Sequence, residues 1–273
     1  MQANGSRAGT FPAMARRRID TLMAERGLAR SRTSAAHSVR AGQVRIGADG
    51  PLALRPSQLV PEEADLLVSE APRFVSRGGV KLDNALDTLG VDIAGRDCAD
   101  IGASTGGFTD CLLQRGAARV AAVDVGRGQL DWSLRGDERV TVLEGLNARH
   151  LDSQSLPFTP SLATVDVSFI SLAKILPAVA GVLADSGEVV ALVKPQFELA
   201  RERVRRGVVR EAGDRRDALR IASAAARDAG LGVLGFAGSG LPGPKGNRET
   251  FIHGALGATD LADVDEAILE VEP

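Results

Sequence analysis

The 273-residue chain contains no tyrosine, one tryptophan and eight phenylalanines, so it is poor in the aromatic platforms on which single-stranded bases stack, and stacking is not its expected main mode of binding. Two cysteines, Cys98 and Cys111, are too few for a disulfide framework, and neither stands in a CxxC or Cys/His cluster of metal-ligand spacing. A reduced, cytoplasmic setting without a bound metal is expected. Three histidines, His37, His150 and His253, share no triad or metal spacing and read as structural or surface residues. No N-terminal stretch has the apolar core of a signal peptide, and the most apolar region, residues 175–193, is broken by Pro177, Asp185 and Glu188. No membrane span is expected.

Glycine is plentiful, at 31 residues, which points to aliphatic packing with many tight turns. The net charge of −2 conceals an asymmetry. Residues 1–60 hold ten basic and three acidic side chains, a net of +7, and the remainder has a net of −9. Clustered arginine on a short segment reads as a footprint for a phosphate backbone. Residues 1–14 are small, polar and aperiodic, a predicted disordered tail. The segment from Ala15 carries a helical stripe at Ile19, Leu22, Met23 and Leu28 with a glycine stop at Gly27. A second helix is predicted from an N-cap at Ser31 to Gly42, then short strands around VRIG and LLV.

From Asp97 onward, apolar runs (CADIG, AARVAAVDVG, RVTVLEG, LATVDVSF, EVVALVKPQ) alternate with helical stretches, including one over residues 171–183. Runs without strict alternation belong to strands covered on both faces, so the fold class is α/β, a Rossmann-like, mostly parallel, doubly wound sheet. The acidic segment from Leu261 reads as a final helix or a frayed end.

DIGASTGGFTD sits at a strand-to-helix junction, where the glycines let backbone N–H groups approach a ligand. The spacing is GxxxGG rather than the dinucleotide GxGxxG, and Asp100 stands before it, which disfavours phosphate and suits a cationic ligand bearing an amino acid. One strand later, Asp124 is placed to accept the two hydroxyls of a ribose. Together these favour S-adenosylmethionine over a nicotinamide cofactor. The expected cofactor set is Asp100, Gly102, Ser104, Thr105, Gly106, Gly107, Phe108, Asp124, Val125, Asn147 and Asp166. Glu144 and Asn147 fall near the adenine position, though Asn147 reads equally well as a turn residue satisfying its own backbone.

Four polar residues stand out: Lys81, Asp166, Lys194 and Glu249. The runs VSRGGVKLDNAL, DIGASTGGFTDCLLQRGAARVAAVDVGRGQL, DVSFISL, LVKPQFE and GPKGNRE, which contain them, resemble the TlyA family of ribosomal RNA 2'-O-methyltransferases. Residues 15–71, with arginines at 16, 17, 18, 30, 32, 40 and 45, resemble the S4 RNA-binding domain, followed by a linker at 72–77 and an FtsJ-like methyltransferase domain at 78–273. The resemblance implies a catalytic set of Lys81, Asp166, Lys194 and Glu249, ribosomal RNA or ribosomal subunits as partner, cytidines of 16S and 23S RNA as targets, and a monomer. A ribose hydroxyl is a weak nucleophile whose proton must leave as it attacks the sulfonium methyl. A neutral Lys194 would take it, Asp166 would hold the amine, and Glu249 would orient Lys81. DVSF lacks the prolines of amine methyltransferases, and neither cysteine looks like a C5 nucleophile. The rival readings are a haemolysin-like pore former, disfavoured by the lack of apolar or amphipathic membrane segments, and a non-catalytic assembly factor, disfavoured by the intact set.

Overall fold

The computed structural model describes residues 15–273 apart from 30, 41–42, 49, 70–72 and 244, and apart from the side chains of His37 and Arg40. The expected tail, Arg30, the Arg40 side chain and the Gly42 helix stop lie outside the described residues. The chain divides into two compact units after residue 72.

In the smaller unit β1 (Arg16–Arg18) leads into α1 (Ile19–Glu25), then α2 (Arg32–Arg40), β2 (Val44–Ile46), β3 (Leu59–Pro61) and β4 (Leu66–Val68). β1 pairs antiparallel with β3, and β2 with β4. The three arginines that periodicity assigned to the first helix are therefore a strand. Arg18 is extended, at φ −66° and ψ 136°, and Ile19 donates its N–H to Gln58 O at 2.9 Å. Pairing with a segment some forty residues away overrides the local helical stripe. Ser31 behaves as read, its Oγ accepting from Ser34 N–H at 3.1 Å. Ile19, Leu22, Met23, Val39, Val44, Val60 and Leu66 close a small core.

The larger unit runs α3 (Arg77–Leu89), β5 (Asp97–Ile101), α4 (Gly107–Gln114), β6 (Arg119–Asp124), α5 (Trp132–Arg135), β7 (Val140–Glu144), β8 (Leu162–Val165), α6 (Leu176–Ala180), β9 (Glu188–Val193), α7 (Pro195–Glu198), α8 (Ala212–Asp228), β10 (Leu231–Gly238), β11 (Thr250–Leu256) and α9 (Val264–Val271). Among the described residues its strands form one seven-stranded sheet in the order β10-β11-β9-β8-β5-β6-β7. Strands β5 to β9 are parallel, and β11 is antiparallel to both β9 and β10. Both faces are apolar: along β9, Val189, Ala191 and Val193 enter one core while Val190 and Leu192 enter the other. Each such valine or leucine stabilises by about 1.5–3 kcal/mol.

Two expectations are corrected. Residues 73–77, read as linker, belong to the larger unit: Phe74 is buried, Arg73 pairs with Asp83, and Ser76 caps α3 by accepting from Gly78 N–H at 3.3 Å. The helix expected over 171–183 is a 3-10 turn at Leu172–Lys174 followed by the short α6. Pro177 has no N–H to continue a helix but suits its first turn, so the helix restarts there.

α8 and the end of the chain are joined by a buried ion pair, Arg215 Nε to Glu272 Oε2 at 2.8 Å. Removing the carboxylate leaves a guanidinium in the interior, so Glu272→Ala is expected to cost about 3 kcal/mol. Urea unfolding measures this, and an unchanged midpoint would show that the pair holds nothing together.

Candidate active site

The parallel strands all end on one rim, where open α/β sheets bind ligands. β5 leaves the sheet into the glycine loop. Gly102 has φ +89°, and a Cβ there would stand 2.6 Å from the carbonyl oxygen of Asp166, so only glycine lets these two crossings approach. Gly106, at φ +95°, turns the chain into α4. Asp124, at the end of β6, ties the rim together: Oδ2 accepts from Ser104 N–H at 2.8 Å and Oδ1 from Gly126 N–H at 2.6 Å. Asp124 lines a cleft of about 650 Å³ with Gly102, Ser104, Val125, Asn147 and Asp166. Asn147 fulfils the turn reading, its side chain accepting from Arg149 N–H at 3.1 Å, while also facing this cleft. Glu144 is instead engaged by Arg135 and by Gly128 N–H.

A smaller cleft of about 250 Å³ adjoins the first, sharing Gly102, Ser104 and Asp166, and its wall includes Thr105, Gly107 and Phe108. All of Lys81, Asp166, Lys194 and Glu249 line it. The topology explains the convergence. Asp166 follows β8 and Lys194 follows β9, while Glu249 precedes β11, which is antiparallel and pairs Thr250 with Val193. Reversal of β11 brings its beginning to the rim where its neighbours end. β11 is a central strand, with Phe251 and Ile252 buried. Lys81 comes from α3 and meets Glu249 Oε2 at 2.5 Å, both side chains buried.

The second pair is more open. Lys194 Nζ stands 2.6 Å from Asp166 Oδ1 and donates its hydrogen bond to Ser168 Oγ at 2.9 Å. Asp166 Oδ1 is thus buried beside a cation, yet among the described residues no donor is well angled toward it. Ser168 was not singled out in the sequence, although it stands inside the DVSF motif. Glu198, also not singled out, accepts from Ser171 Oγ at 2.6 Å and Leu172 N–H at 2.9 Å, fastening α7 to the loop after β8. Burial raises its pKa against those two bonds.

Asp100 departs from the expected cofactor set. Its side chain is sealed within the sheet, with Thr109 Oγ1 donating to Oδ2 at 2.7 Å, and it lines neither cleft. The alternation of β5 turns it inward, one residue short of the loop. The cysteines are buried, and burial pushes both thiols up to about 12. Neither supplies a thiolate. His253 is buried against Glu188 Oε2 at 2.8 Å, and His150 is exposed, both away from the clefts.

In the smaller unit, Arg17 is held by Glu25 and Glu62, Arg18 and Arg32 flank Asp20, Arg45 donates to Gly50 O at 2.6 Å, and Arg16 donates to Leu59 O at 3.2 Å. Hydrogen bonding from Arg18 leads the causes that hold the Asp20 carboxyl below its usual range. Arg55, not singled out in the sequence, joins Arg16 in a shallow cleft of about 770 Å³.

The profile of the FtsJ-like methyltransferases matches residues 74–256. A Mycobacterium tuberculosis protein named 16S/23S rRNA (cytidine-2'-O)-methyltransferase TlyA is 46% identical over 94% of this chain and 99% of its own. The chain belongs to the TlyA family of FtsJ-like methyltransferases. Hemolysin A of Brachyspira hyodysenteriae is 36% identical over 86% of this chain and 98% of its own. A solved structure from Streptococcus thermophilus superposes with a TM-score of 0.73 at 42% identity, covering 95% of each chain. The doubly wound methyltransferase fold read from the sequence is the fold of this TlyA-family chain, and among the described residues no helix is long and apolar enough to cross a membrane.

Asp100 generates a pH prediction. Burial, reinforced by the charge of Asp166, pushes its carboxyl up to about 7. An unfolded aspartate titrates near 3.9, so between roughly pH 4 and 7 the native state binds the extra proton and stability falls as pH rises. Asp100→Asn abolishes that titration. Its stability relative to wild type is expected to be greater at pH 8 than at pH 5 in urea melts. A difference independent of pH would contradict the assignment.

Proposed function

We propose that this enzyme transfers the methyl group of S-adenosylmethionine to the ribose 2'-hydroxyl of cytidines in ribosomal RNA, 16S, 23S or both. The observation that carries the reading is the meeting of Lys81, Asp166, Lys194 and Glu249 in one cleft beside the glycine loop. The residues present fit the cofactor. Asp124 retains acceptor capacity for the ribose hydroxyls beyond its two backbone bonds, and it lines the larger cleft beside the glycine loop. The cofactor supplies a sulfonium-activated methyl, which needs little activation beyond alignment.

The protein's task is then the proton. Lys194, in its neutral form, takes the proton of the 2'-hydroxyl as the new carbon–oxygen bond forms, and Asp166 with Ser168 fixes where its Nζ sits. Lys81 is held by Glu249 and lines the same cleft, where its positive charge stabilises the developing alkoxide. Residues 15–71, two helices with short strands and nine arginines, support an S4-type RNA-binding role for the smaller unit, with Arg16, Arg32 and Arg55 as phosphate contacts.

Asp124→Ala is expected to weaken S-adenosylmethionine binding by about tenfold or more, since it removes a charged acceptor and unties the loops at Ser104 and Gly126. Calorimetry decides, and equal affinities would put the adenosine elsewhere.

Lys194→Ala and Lys194→Arg are both expected to abolish methyl transfer while cofactor binding persists, because a guanidinium keeps the charge but does not lose its proton. The measurement is transfer of labelled methyl to ribosomal subunits across about pH 6 to 9, with ribose methylation mapped by mass spectrometry. Wild type should show a rising limb. Substantial activity in the arginine variant would remove Lys194 from the role of base.

A further inference from the structure

Two residues beyond Lys194, on the short α7 that follows it, the amide oxygen Oε1 of Gln196 is buried and, among the described residues, receives no hydrogen bond. An amide carbonyl deprived of both water and a donor costs free energy unless a ligand satisfies it. Gln196 lines a cleft of about 420 Å³ with Arg149, Phe169, Ser171, Lys174 and Phe197. Arg149, Phe169 and Ile170 also border the larger cleft at the sheet rim, so the two spaces are continuous along one wall.

The remaining lining fits a nucleotide. Arg149 and Lys174 are exposed, and no carboxylate among the described residues pairs with either, which leaves two cations for a phosphate. The rings of Phe169 and Phe197, 5.2 Å apart between centroids, supply carbon-rich walls, Phe169 being 90% exposed and held at φ +65°. Glu198, two residues on, bolts α7 to the loop that carries Phe169 and Ser171, so Gln196 is presented from a fastened backbone.

We infer that Gln196 is a specificity-determining residue that selects an amino-bearing base, cytosine in this enzyme, by turning its amide into the cleft so that Oε1 exchanges its unmet burial for a hydrogen bond from the exocyclic N4 amine. Uracil presents the O4 acceptor at the same place, so two oxygens would face each other. This rests on the reading of the chain as a cytidine ribose methyltransferase.

The test uses the full chain with S-adenosylmethionine and two preparations of ribosomal subunits that carry either C or U at the methylated nucleotide, for wild type and for Gln196→Leu, which keeps the side-chain bulk and deletes the acceptor. Wild type is expected to favour C over U in kcat/KM by about tenfold or more, and Gln196→Leu to bring that ratio close to one, chiefly through a loss on C. A partly unfolded preparation lowers both rates by the same factor and leaves the ratio unchanged, so the ratio decides whatever the yield of folded variant. A ratio in Gln196→Leu equal to that of an active wild type, or a wild type that uses C and U alike, overturns the inference and leaves the methyltransferase reading intact. A wild type that methylates no ribose in either preparation overturns that reading instead.

Discussion

Lys81 and Glu249 are separated by 168 residues and meet at 2.5 Å with both side chains buried. Withdrawing an ammonium and a carboxylate from water costs several kcal/mol for each ion, and only their mutual neutralisation, on rigid supports, offsets it. Their meeting therefore constrains the parts that carry them. α3 must dock on the sheet through Leu82, Ala85 and Leu86, with Phe74 buried just before it. Phe108 and Phe251 must pack beneath, at 5.8 Å between ring centroids. β11 must run antiparallel between β9 and β10, since only that direction starts the strand at the rim.

The rest of the rim follows the same division between an apolar sheet and polar turns that leave it. The core strands contribute few polar groups to the interior, and the exceptions are bonded: Thr109 donates to Asp100, and His253 pairs with Glu188. Asp166 and Lys194 sit one step beyond strand ends, where the sheet no longer covers them and a loop still fixes them. Asp124 binds two turns by their backbone N–H groups, and Glu198 binds a third. Lys194 is presented next to Pro195, whose fixed φ begins α7 at once and limits how the lysine backbone can swing. Loops pinned by carboxylates in this way give a cleft preorganised for alignment, which is most of what transfer from an already activated methyl demands.

In the smaller unit the positive charge is less free than its count suggests. Arg17 is taken up by two glutamates and Arg18 with Arg32 by one aspartate, so part of the basic surplus secures the strand and the first helix. Partly exposed pairs of this kind contribute little to stability. They orient guanidinium groups at low cost, and a phosphate can still reach the outward N–H groups of Arg18 and Arg32.

The alternation of apolar runs with helices along the chain was enough to determine a doubly wound α/β sheet, because strands covered on both faces have no polar face to write into the sequence. The glycine loop and Asp124 were legible for a related reason, since close backbone approach and a strand-end acid need particular residue types at short spacing. Lys81, Asp166, Lys194 and Glu249 could be named through resemblance. That they share a cleft was decided by the reversed strand β11 and the docking of α3, through contacts distant in sequence, 168 residues for Lys81 and Glu249, that leave no local period. The burial of Asp100 and the strand at Arg16–Arg18 were likewise tertiary outcomes, set by which way an alternating strand faces and by a partner found far along the chain. The undonated oxygen of Gln196 belongs to the same class, because a glutamine codes for a donor and an acceptor wherever it stands, and only the packed structure determines that one of them is left unmet.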